Sequence, residues 1–295
     1  MPGPTRLHFA SAPPIAPAYL RILFSRKPPF ITDAVPRIEG TIERFVVNRR
    51  HLTRYRKVCG DSDSSLLPIT YPHVLATPLH LALIACEAFP VNLLGVVHTR
   101  NTIVQHRPLR VDDIGEIRAW LEGHRETARG QEIDLQTQIR VGPDVVWSET
   151  CTFLARRRDR SRARREGGVP AVVEVPPRRE VTTSLAFTVP SAVGRQYARV
   201  SGDFNPIHIA DAGARFFGFK RAIAHGMWSL AHCAARIGDA AFSRPCTLDV
   251  AFKRPIVFSS CVVLESWITE GHVGFTLRDS QAERGHLLGS VAPSH

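Results

Sequence analysis

The sequence predicts an α+β fold made of two copies of one unit, in which an antiparallel sheet wraps around a central helix and the two sheets join into one extended sheet. Two observations carry this prediction. A motif at residues 55–63 returns at residues 197–205, and each copy precedes an apolar helical run. Each run is followed by four segments with the alternation of β-strands. The order of turn, helix and four strands therefore occurs twice.

The helical runs are predicted at residues 79–89 and 227–237, and both are apolar almost all round. Such a helix must be covered on most sides, which a curled antiparallel sheet achieves. Pairing the two units side by side extends the sheet and hides one edge of each. The predicted strands are 104–108, 116–121, 133–141 and 145–154 in the first copy, and 251–255, 262–267, 273–277 and 287–291 in the second.

Composition shifts divide the chain into four parts. Residues 1–40 are Pro-rich without a clear period, so we expect an extended arm across the body. Residues 41–155 form the first unit, residues 156–180 an Arg- and Pro-rich linker, and residues 181–295 the second unit. Two of these four parts, residues 41–155 and 181–295, are thus expected to form the folded units.

The net charge of +11 is concentrated in one place, since residues 156–165 hold seven arginines and one aspartate. This tract has no aromatic residue on which a base could stack, and a flexible, solvated linker is the favoured interpretation. A docking surface for an acidic or phosphorylated partner is the alternative. Nucleic-acid binding is not expected.

The remaining composition is that of a soluble globular protein, with 44% hydrophobic and 22% charged residues. No window approaches the roughly 18 uninterrupted apolar residues of a membrane span, and residues 18–24 do not resemble a signal sequence. We therefore expect a cytoplasmic protein. The six cysteines contain no CxxC pair and are expected to be structural thiols.

The second copy of the motif carries residues suited to acid–base chemistry. Asp203, Asn205 and His208 lie on one short turn, and His225-Gly226 opens the second helical run. A carboxylate and an imidazole can orient a water molecule and move its proton. The backbone N–H groups at a helix N-terminus can hold a developing oxyanion. Each residue alone also fits a structural role, because Asp203 before Phe-Asn-Pro favours an Asx turn.

The pattern Gly202-Asp203-x-Asn205-Pro206-x-His208 with the later Ala-His-Gly-Met resembles the MaoC-like dehydratase family, also called hydratase 2 or (R)-specific enoyl-CoA hydratases. The likeness is strongest over residues 185–292. It implies a hotdog fold, and the degenerate first copy implies a double hotdog like that of actinobacterial 3-hydroxyacyl-thioester dehydratases. Asp61 is kept in the first copy, but Leu66 stands at the position aligned with His208, and that segment appears seven residues shorter.

The resemblance implies a function and its residues. The expected reaction is reversible (R)-specific hydration of trans-2-enoyl thioesters, linked to CoA or acyl carrier protein, in fatty-acid metabolism. It implies that Asp203 and His208 activate water, that Asn205 orients them, and that the Gly226 N–H holds the thioester oxygen. His225 and Ser201 are candidate substrate contacts, and neither a metal nor a cofactor is expected.

Alternatives remain open from the sequence. The pocket of an acyl thioesterase, or of a non-catalytic acyl-binding subunit, would look similar. The chain is expected to be a monomeric double hotdog or a homodimer. Four histidines of the first copy are interpreted as surface or satisfied core residues: His73, His80, His98 and His106.

Overall fold

The computed structural model describes residues 4–32, 35–92, 96–157, 173–178, 180–281 and 285–294. Within these residues, eleven strands form a single sheet in the order β1-β2-β4-β5-β6-β3-β8-β11-β10-β9-β7. The strands are β1 (Thr5–Phe9), β2 (Ile38–Val46), β3 (Val97–Gln105), β4 (Ile114–Thr127), β5 (Gly130–Val141), β6 (Asp144–Arg156), β7 (Thr183–Thr188), β8 (Cys246–Phe252), β9 (Cys261–Thr269), β10 (His272–Asp279) and β11 (Gly285–Pro293). The helices are α1 (Ile15–Leu23), α2 (Arg49–Cys59), α3 (Tyr71–Ala85), α4 (Val193–Ser201), α5 (Asp211–Phe216) and α6 (Gly226–Ile237).

The sheet consists of two equivalent halves. The first contributes β2-β4-β5-β6-β3 and the second β7-β9-β10-β11-β8, so that corresponding strands occupy mirrored places in the order. The halves meet where β3 pairs antiparallel with β8, with Asn101 opposite Val250. Each half wraps around one central helix, α3 or α6. The predicted double hotdog architecture is confirmed.

The central helices are buried on most of their surface, as their all-round apolar sequence predicts. Helix α6 begins at Gly226, one residue before the predicted start. Helix α3 begins at Tyr71, eight residues earlier than predicted, because Pro72 is compatible with a first helical turn and Pro78 is accommodated inside the helix. Tyr71 therefore follows Asp61 by ten positions, whereas Gly226 follows Asp203 by 23, so the first copy is 13 residues shorter here rather than seven.

The N-terminal residues do not lie as an extended arm. β1 pairs parallel with β2 and forms the edge of the sheet, and α1 packs Ala18 and Ile22 against Leu81 of α3. Two of the prolines in this segment, Pro14 and Pro17, lie at the N-cap and in the first turn of α1. No intrahelical N–H bond is required at those positions, so proline is tolerated there.

Two elements at the start of each half were not predicted, and the helix of each pair contains the first five residues of the repeated motif. These are the first strand of each half, β2 or β7, and the helix that follows it, α2 or α4. Both helices end on a glycine in the left-handed conformation, Gly60 at φ 73° and Gly202 at φ 79°. The glycine of each Gly-Asp pair thus ends a helix and turns the chain toward the aspartate.

Most of the predicted linker lies outside the described residues. At its first end, Arg157 pairs with Glu126. At its other end, the Trp267 indole N–H donates to the Pro176 carbonyl at 3.0 Å. The four-part division of the chain stays a prediction. All six cysteines are free thiols, and among the described residues no helix is long and apolar enough to cross a membrane.

Candidate active site

Asp203 lies on the tight turn that follows α4. Gly202 reverses the chain, and the Asp203 N–H then donates to Ser201 Oγ at 3.1 Å. The Asp203 carboxylate accepts the Asn205 N–H at 3.0 Å, which makes this an Asx turn. The structural interpretation of Asp203 and its catalytic interpretation are therefore compatible, because one carboxylate oxygen holds the turn and the other remains available.

His208 follows on a single 3₁₀ turn, Pro206–His208, capped by the Asn205 side chain. Its Nδ1–H donates to the Ile223 carbonyl at 2.9 Å. This bond fixes the ring and its tautomer, so that Nε2 carries the free lone pair of a neutral imidazole. Burial lowers the pKa of His208 and outweighs the opposing effect of Asp203, so the ring is neutral at pH 7.

His225 precedes the first turn of α6 and stacks on His208 with ring centroids 3.8 Å apart. Its Nε2–H donates to the backbone carbonyl of Asp203 at 3.0 Å, so this nitrogen holds the turn that carries the carboxylate. Burial, together with His208, lowers the pKa of His225 to about 3. His225 Nε2 thus positions Asp203. His225 Nδ1 is buried and has no hydrogen-bond partner among the described residues, so the substrate contact at His225 stays a prediction.

The electrostatic balance at Asp203 favours its ionised form. Burial raises the pKa of Asp203, but His225, His208 and the Asn205 N–H together outweigh it, and the net shift is downward. The side chain keeps 44% of its surface accessible. One ligand atom from each of Asp203, His208 and His225 lies within 4.8 Å of the others. A water molecule that makes two hydrogen bonds of about 2.8 Å can therefore bridge Asp203 and His208.

The same three side chains are the local candidates for a metal. The Asp203 carboxylate and His208 Nε2 offer free lone pairs, whereas His225 Nε2 is used as a donor to the protein backbone. Structural zinc sites need four protein ligands and catalytic ones three. The geometry is better suited to a bound water than to a metal ion.

Gly226 begins α6 beside this pair. A Cβ atom at this position would lie 3.2 Å from the Phe252 ring, which is closer than side chains normally approach. The N–H groups of the first helical turn have no intrahelical acceptor and lie at the positive end of the helix dipole. A glycine here lets an oxygen approach these donors next to Phe252.

All six residues singled out in the sequence line one cavity of about 420 Å³: Ser201, Asp203, Asn205, His208, His225 and Gly226. The opposite wall comes from the first half, mainly from α3 and β3. Asn205 and Ser201 act on Asp203 through its turn, as described above. Four basic residues also line the cavity: Arg129, Arg156, Lys253 and Arg254.

Tyr19 is a cavity residue that sequence reasoning missed. Its hydroxyl donates to the Gly202 carbonyl at 2.9 Å and accepts the Phe204 N–H at 2.7 Å. The two bonds hold the backbone on both sides of Asp203. No local pattern could reveal this role, because Tyr19 lies more than 180 residues away in the segment predicted to be an irregular arm.

Three of the first-half histidines line the cavity although they were interpreted as surface or satisfied core residues, and His80 is indeed satisfied by Thr137 Oγ1 at 2.7 Å. His73, His80 and His98 line the same cavity, and only His106 of that group is a surface residue. His73 and His80 reach the cavity because α3 packs against the Gly-Asp turn of the second half, where Thr77 lies beside Gly202, and His98 reaches it from β3. Intra-chain pairing of this kind leaves no signal in the local sequence.

The first copy of the motif is arranged differently, and one part of its alignment is wrong. Leu66 forms an isolated bridge with Arg110, just as Ile223 does with Val257. Leu66 is therefore the counterpart of Ile223 and not of His208. The residues that carry His208 and α5 have no equivalent in the shorter first copy.

Arg56 occupies the place of the missing histidine. It donates to the Leu66 carbonyl at 2.7 Å, as His208 donates to the carbonyl of Ile223. Arg56 Nε also lies 3.6 Å from the Asp61 carboxylate. Guanidinium groups stay protonated in proteins, so Arg56 cannot accept a proton from water. This half retains the carboxylate without the base.

Comparisons with known proteins show which proteins this chain is similar to. Residues 172–288 match the model of a MaoC-like domain. The chain is 33% identical over 262 residues to 3-hydroxyacyl-thioester dehydratase X of Mycobacterium tuberculosis, covering 88% of this chain and 91% of that one. The crystal structure of that protein, HtdX, superposes with a TM-score of 0.74 at 30% identity, covering 87% of this chain and 100% of the other.

Two more distant structures share the fold. A MaoC-like dehydratase from Phytophthora capsici has a TM-score of 0.70 at 20% identity, with 88% of this chain and 96% of that one covered. A Mycobacterium tuberculosis protein described as a double hotdog fold has a TM-score of 0.54 at 13% identity, with 92% and 96% covered. The two-unit architecture is therefore shared well beyond the range of clear sequence similarity.

Proposed function

The chain belongs to the MaoC-like dehydratase family, and on this premise we propose that it catalyses the reversible (R)-specific hydration of trans-2-enoyl thioesters and the dehydration of (R)-3-hydroxyacyl thioesters. It is a hydro-lyase of fatty-acid metabolism. The single observation that carries the site assignment is the spacing of Asp203 and His208, whose ligand atoms lie within reach of one water molecule.

The proposed reaction begins with a water molecule held by the Asp203 carboxylate and His208 Nε2. Because His208 Nδ1 donates to the Ile223 carbonyl, Nε2 is the atom that accepts the water proton. The hydroxide forms the new C–O bond at C3 of the enoyl thioester. The electron pair of the C2–C3 double bond moves toward the thioester oxygen, which becomes enolate-like.

Two features stabilise the charges that form in this step. The protonated His208 lies beside the ionised Asp203 and stacks on a neutral His225. The enolate oxygen faces the free N–H groups at the start of α6, where Gly226 leaves room beside Phe252. His208 then returns its proton to C2, so that water is added across the double bond and the enzyme is regenerated. Dehydration uses the same groups in reverse.

The basic residues of the cavity fit the phosphates that both CoA and acyl carrier protein bring to a thioester. Lys253 and Arg254 are exposed, and Lys or Arg side chains recognise such anions by charge-assisted hydrogen bonds. Both carriers are therefore retained in the proposal. The cytoplasmic location, and the choice between a monomeric double hotdog and a homodimer, stay predictions.

The function is tested by following crotonyl-CoA with two readouts. Loss of the enoyl absorbance with formation of (R)-3-hydroxybutyryl-CoA, without release of free thiol, is the expected result. Stoichiometric release of CoA would identify a thioesterase instead. Tight binding without turnover of short or long enoyl thioesters would identify a non-catalytic acyl-binding subunit. Either of those results would overturn the proposal.

A further inference from the structure

The wall that the first half contributes to the cavity ends in a polar cluster. His73, His80 and His98 face the cavity, and behind them lies Glu149, whose side chain has no accessible surface. None of these residues takes part in the proposed hydration. A plain acyl chain would be best accommodated by apolar side chains at this place.

His73 and Glu149 form a buried ion pair. His73 Nδ1 donates to both carboxylate oxygens of Glu149, at 2.9 and 3.0 Å. The Asn101 amide donates to the same carboxylate at 2.6 Å. Although burial opposes both shifts, the pair lowers the pKa of Glu149 to about 2 and raises that of His73. The buried Glu149 carboxylate therefore favours the protonated form of His73, whose Nδ1–H is already used.

The other ring nitrogen of His73 is available to a ligand. His73 keeps 14% of its side chain accessible, and within the described residues its Nε2 has no hydrogen-bond partner. The neighbouring His98 also has a buried Nε2 with no partner among those residues. Unsatisfied buried polar atoms are costly and usually indicate a missing partner.

At the position of the second half that is equivalent to His73, a large aromatic side chain fills the space. His73 is the third residue after the N-cap of α3, and Trp228 is the third residue after the N-cap of α6. Trp228 is buried and its indole N–H donates to the Val58 carbonyl, which fills the space beside the first Gly-Asp turn. In the catalytic cavity the same space is left open, and the His73 ring faces it.

The polar cluster is connected to the reaction centre by a continuous row of rings. Phe252 lies against Gly226 at the start of α6. The His98 ring is 5.0 Å from the Phe252 ring, and the His73 ring is 6.4 Å from that of His98. An acyl chain whose thioester oxygen lies at α6 and which follows this wall passes Phe252 and His98 and then meets His73.

We infer that the His73–Glu149 pair forms a subsite for a neutral oxygen on the acyl chain, a hydroxyl or keto group beyond the reacting carbons, which accepts a hydrogen bond from His73 Nε2. This inference rests on the proposed function and narrows its substrate class. A neutral oxygen fits better than a carboxylate, because Glu149 already balances the charge of His73. The plain acyl chain is then the poorer substrate.

The test compares trans-2-enoyl-CoA substrates of about six to about ten carbons, each with and without a terminal hydroxyl group. At the length that reaches His73, we expect the hydroxylated substrate to have a kcat/KM about 10-fold higher, as one hydrogen bond from a charged donor provides. The double variant His73→Leu/Glu149→Leu removes both charges together and should abolish this preference. Thr99→Val is the matched control, because Thr99 lines the same cavity but its hydroxyl donates to the Thr152 carbonyl.

Several results would overturn the subsite. These are no preference at any length, a preference that survives in the double variant, or an equal loss in Thr99→Val. The milder variant Glu149→Gln keeps the shape of the site and should reduce the preference if the double variant does not fold. Calorimetric binding of saturated acyl-CoA with and without the hydroxyl gives the same comparison without turnover. Failure to hydrate any plain enoyl-CoA would refute the proposed function instead, while this binding ratio still tests the subsite.

Discussion

The two Gly-Asp turns of the chain share a backbone and differ in what surrounds the carboxylate. Each follows a helix that ends on a left-handed glycine, Gly60 or Gly202. Asp203 is accompanied by two neutral imidazoles and has a lowered pKa. Burial raises the pKa of Asp61, and Asp239 adds to this despite the opposing effect of Arg56. The same turn thus carries a carboxylate with a lowered pKa in the second half and one with a raised pKa in the first.

The space beside each turn differs as much as the charge. The cavity at Asp203 measures about 420 Å³, whereas the one at Asp61 measures about 30 Å³, room for a water molecule but not for a thioester. At the seventh residue after the helix N-cap, α6 carries His232, whose Nδ1–H donates to the Cys59 carbonyl. At the equivalent position α3 carries Thr77. The helix of the second half closes the first turn, and the helix of the first half leaves the second turn open.

The difference shows how two copies of one unit have taken different roles, one catalytic and one in forming the pocket. The added residues before α6 bring in His208, and the smaller side chains of α3 provide the pocket. Neither change disturbs the strand order, which is the same in both halves. Catalysis therefore depends on one inserted turn and on a wall supplied by the other copy.

The largest expected contrast is between His208 and Arg56, which make equivalent bonds to the carbonyls of Ile223 and Leu66. His208→Gln should lower kcat for crotonyl-CoA by on the order of 10²–10⁴-fold, because it removes the base that accepts the water proton. Arg56→Gln should leave kcat of the folded protein unchanged. It should lower the free energy of unfolding by about 3 kcal/mol, since a buried partner of Asp61 is lost.

Steady-state kinetics and denaturant titration of both variants check this contrast. A kcat that falls equally in both, or a His208→Gln protein with full activity, would show that the two sites have not diverged in the way described.

A smaller effect is expected at Tyr19, which holds the second turn through two hydrogen bonds and has no role at the first turn. Tyr19→Phe should lower kcat by about 10-fold with little change in KM, because Asp203 loses its fixed position while the cavity is kept. Phe204→Leu is the matched control. It removes the ring that packs edge-on against Tyr19 at 6.1 Å but leaves both hydroxyl bonds intact.

The split between kcat and KM distinguishes positioning from mere packing. An unchanged kcat in Tyr19→Phe, or an equal fall in Phe204→Leu, would mean that the hydroxyl does not position Asp203.

Much of this arrangement could be predicted from sequence because it is local. The repeated motif, the two apolar helices and the alternating strands predict the double hotdog, and the Asp203–His208 turn can be identified within six residues. What could not be predicted depends on contacts between distant segments. Tyr19 reaches the turn from the N-terminal helix, and His73 reaches the cavity because α3 of the first half packs against the turn of the second half.

One error came from aligning the copies by counting residues. Leu66 was matched to His208 because both lie five positions after the aspartate. The backbone bridges show that an insertion separates the copies at this point, and hydrogen bonding rather than spacing identifies Arg56 as the group in the place of the histidine. A gap inside a degenerate repeat has no sequence signal of its own.

The most direct test of one active site per chain is the matched pair Asp203→Asn and Asp61→Asn, assayed for hydration of crotonyl-CoA with folding checked for each. We expect Asp203→Asn to lower kcat by on the order of 10²–10⁴-fold and Asp61→Asn to stay within about twofold of the wild type. Full activity in Asp203→Asn, or a comparable loss in Asp61→Asn, would contradict the assignment of the chemistry to the second half.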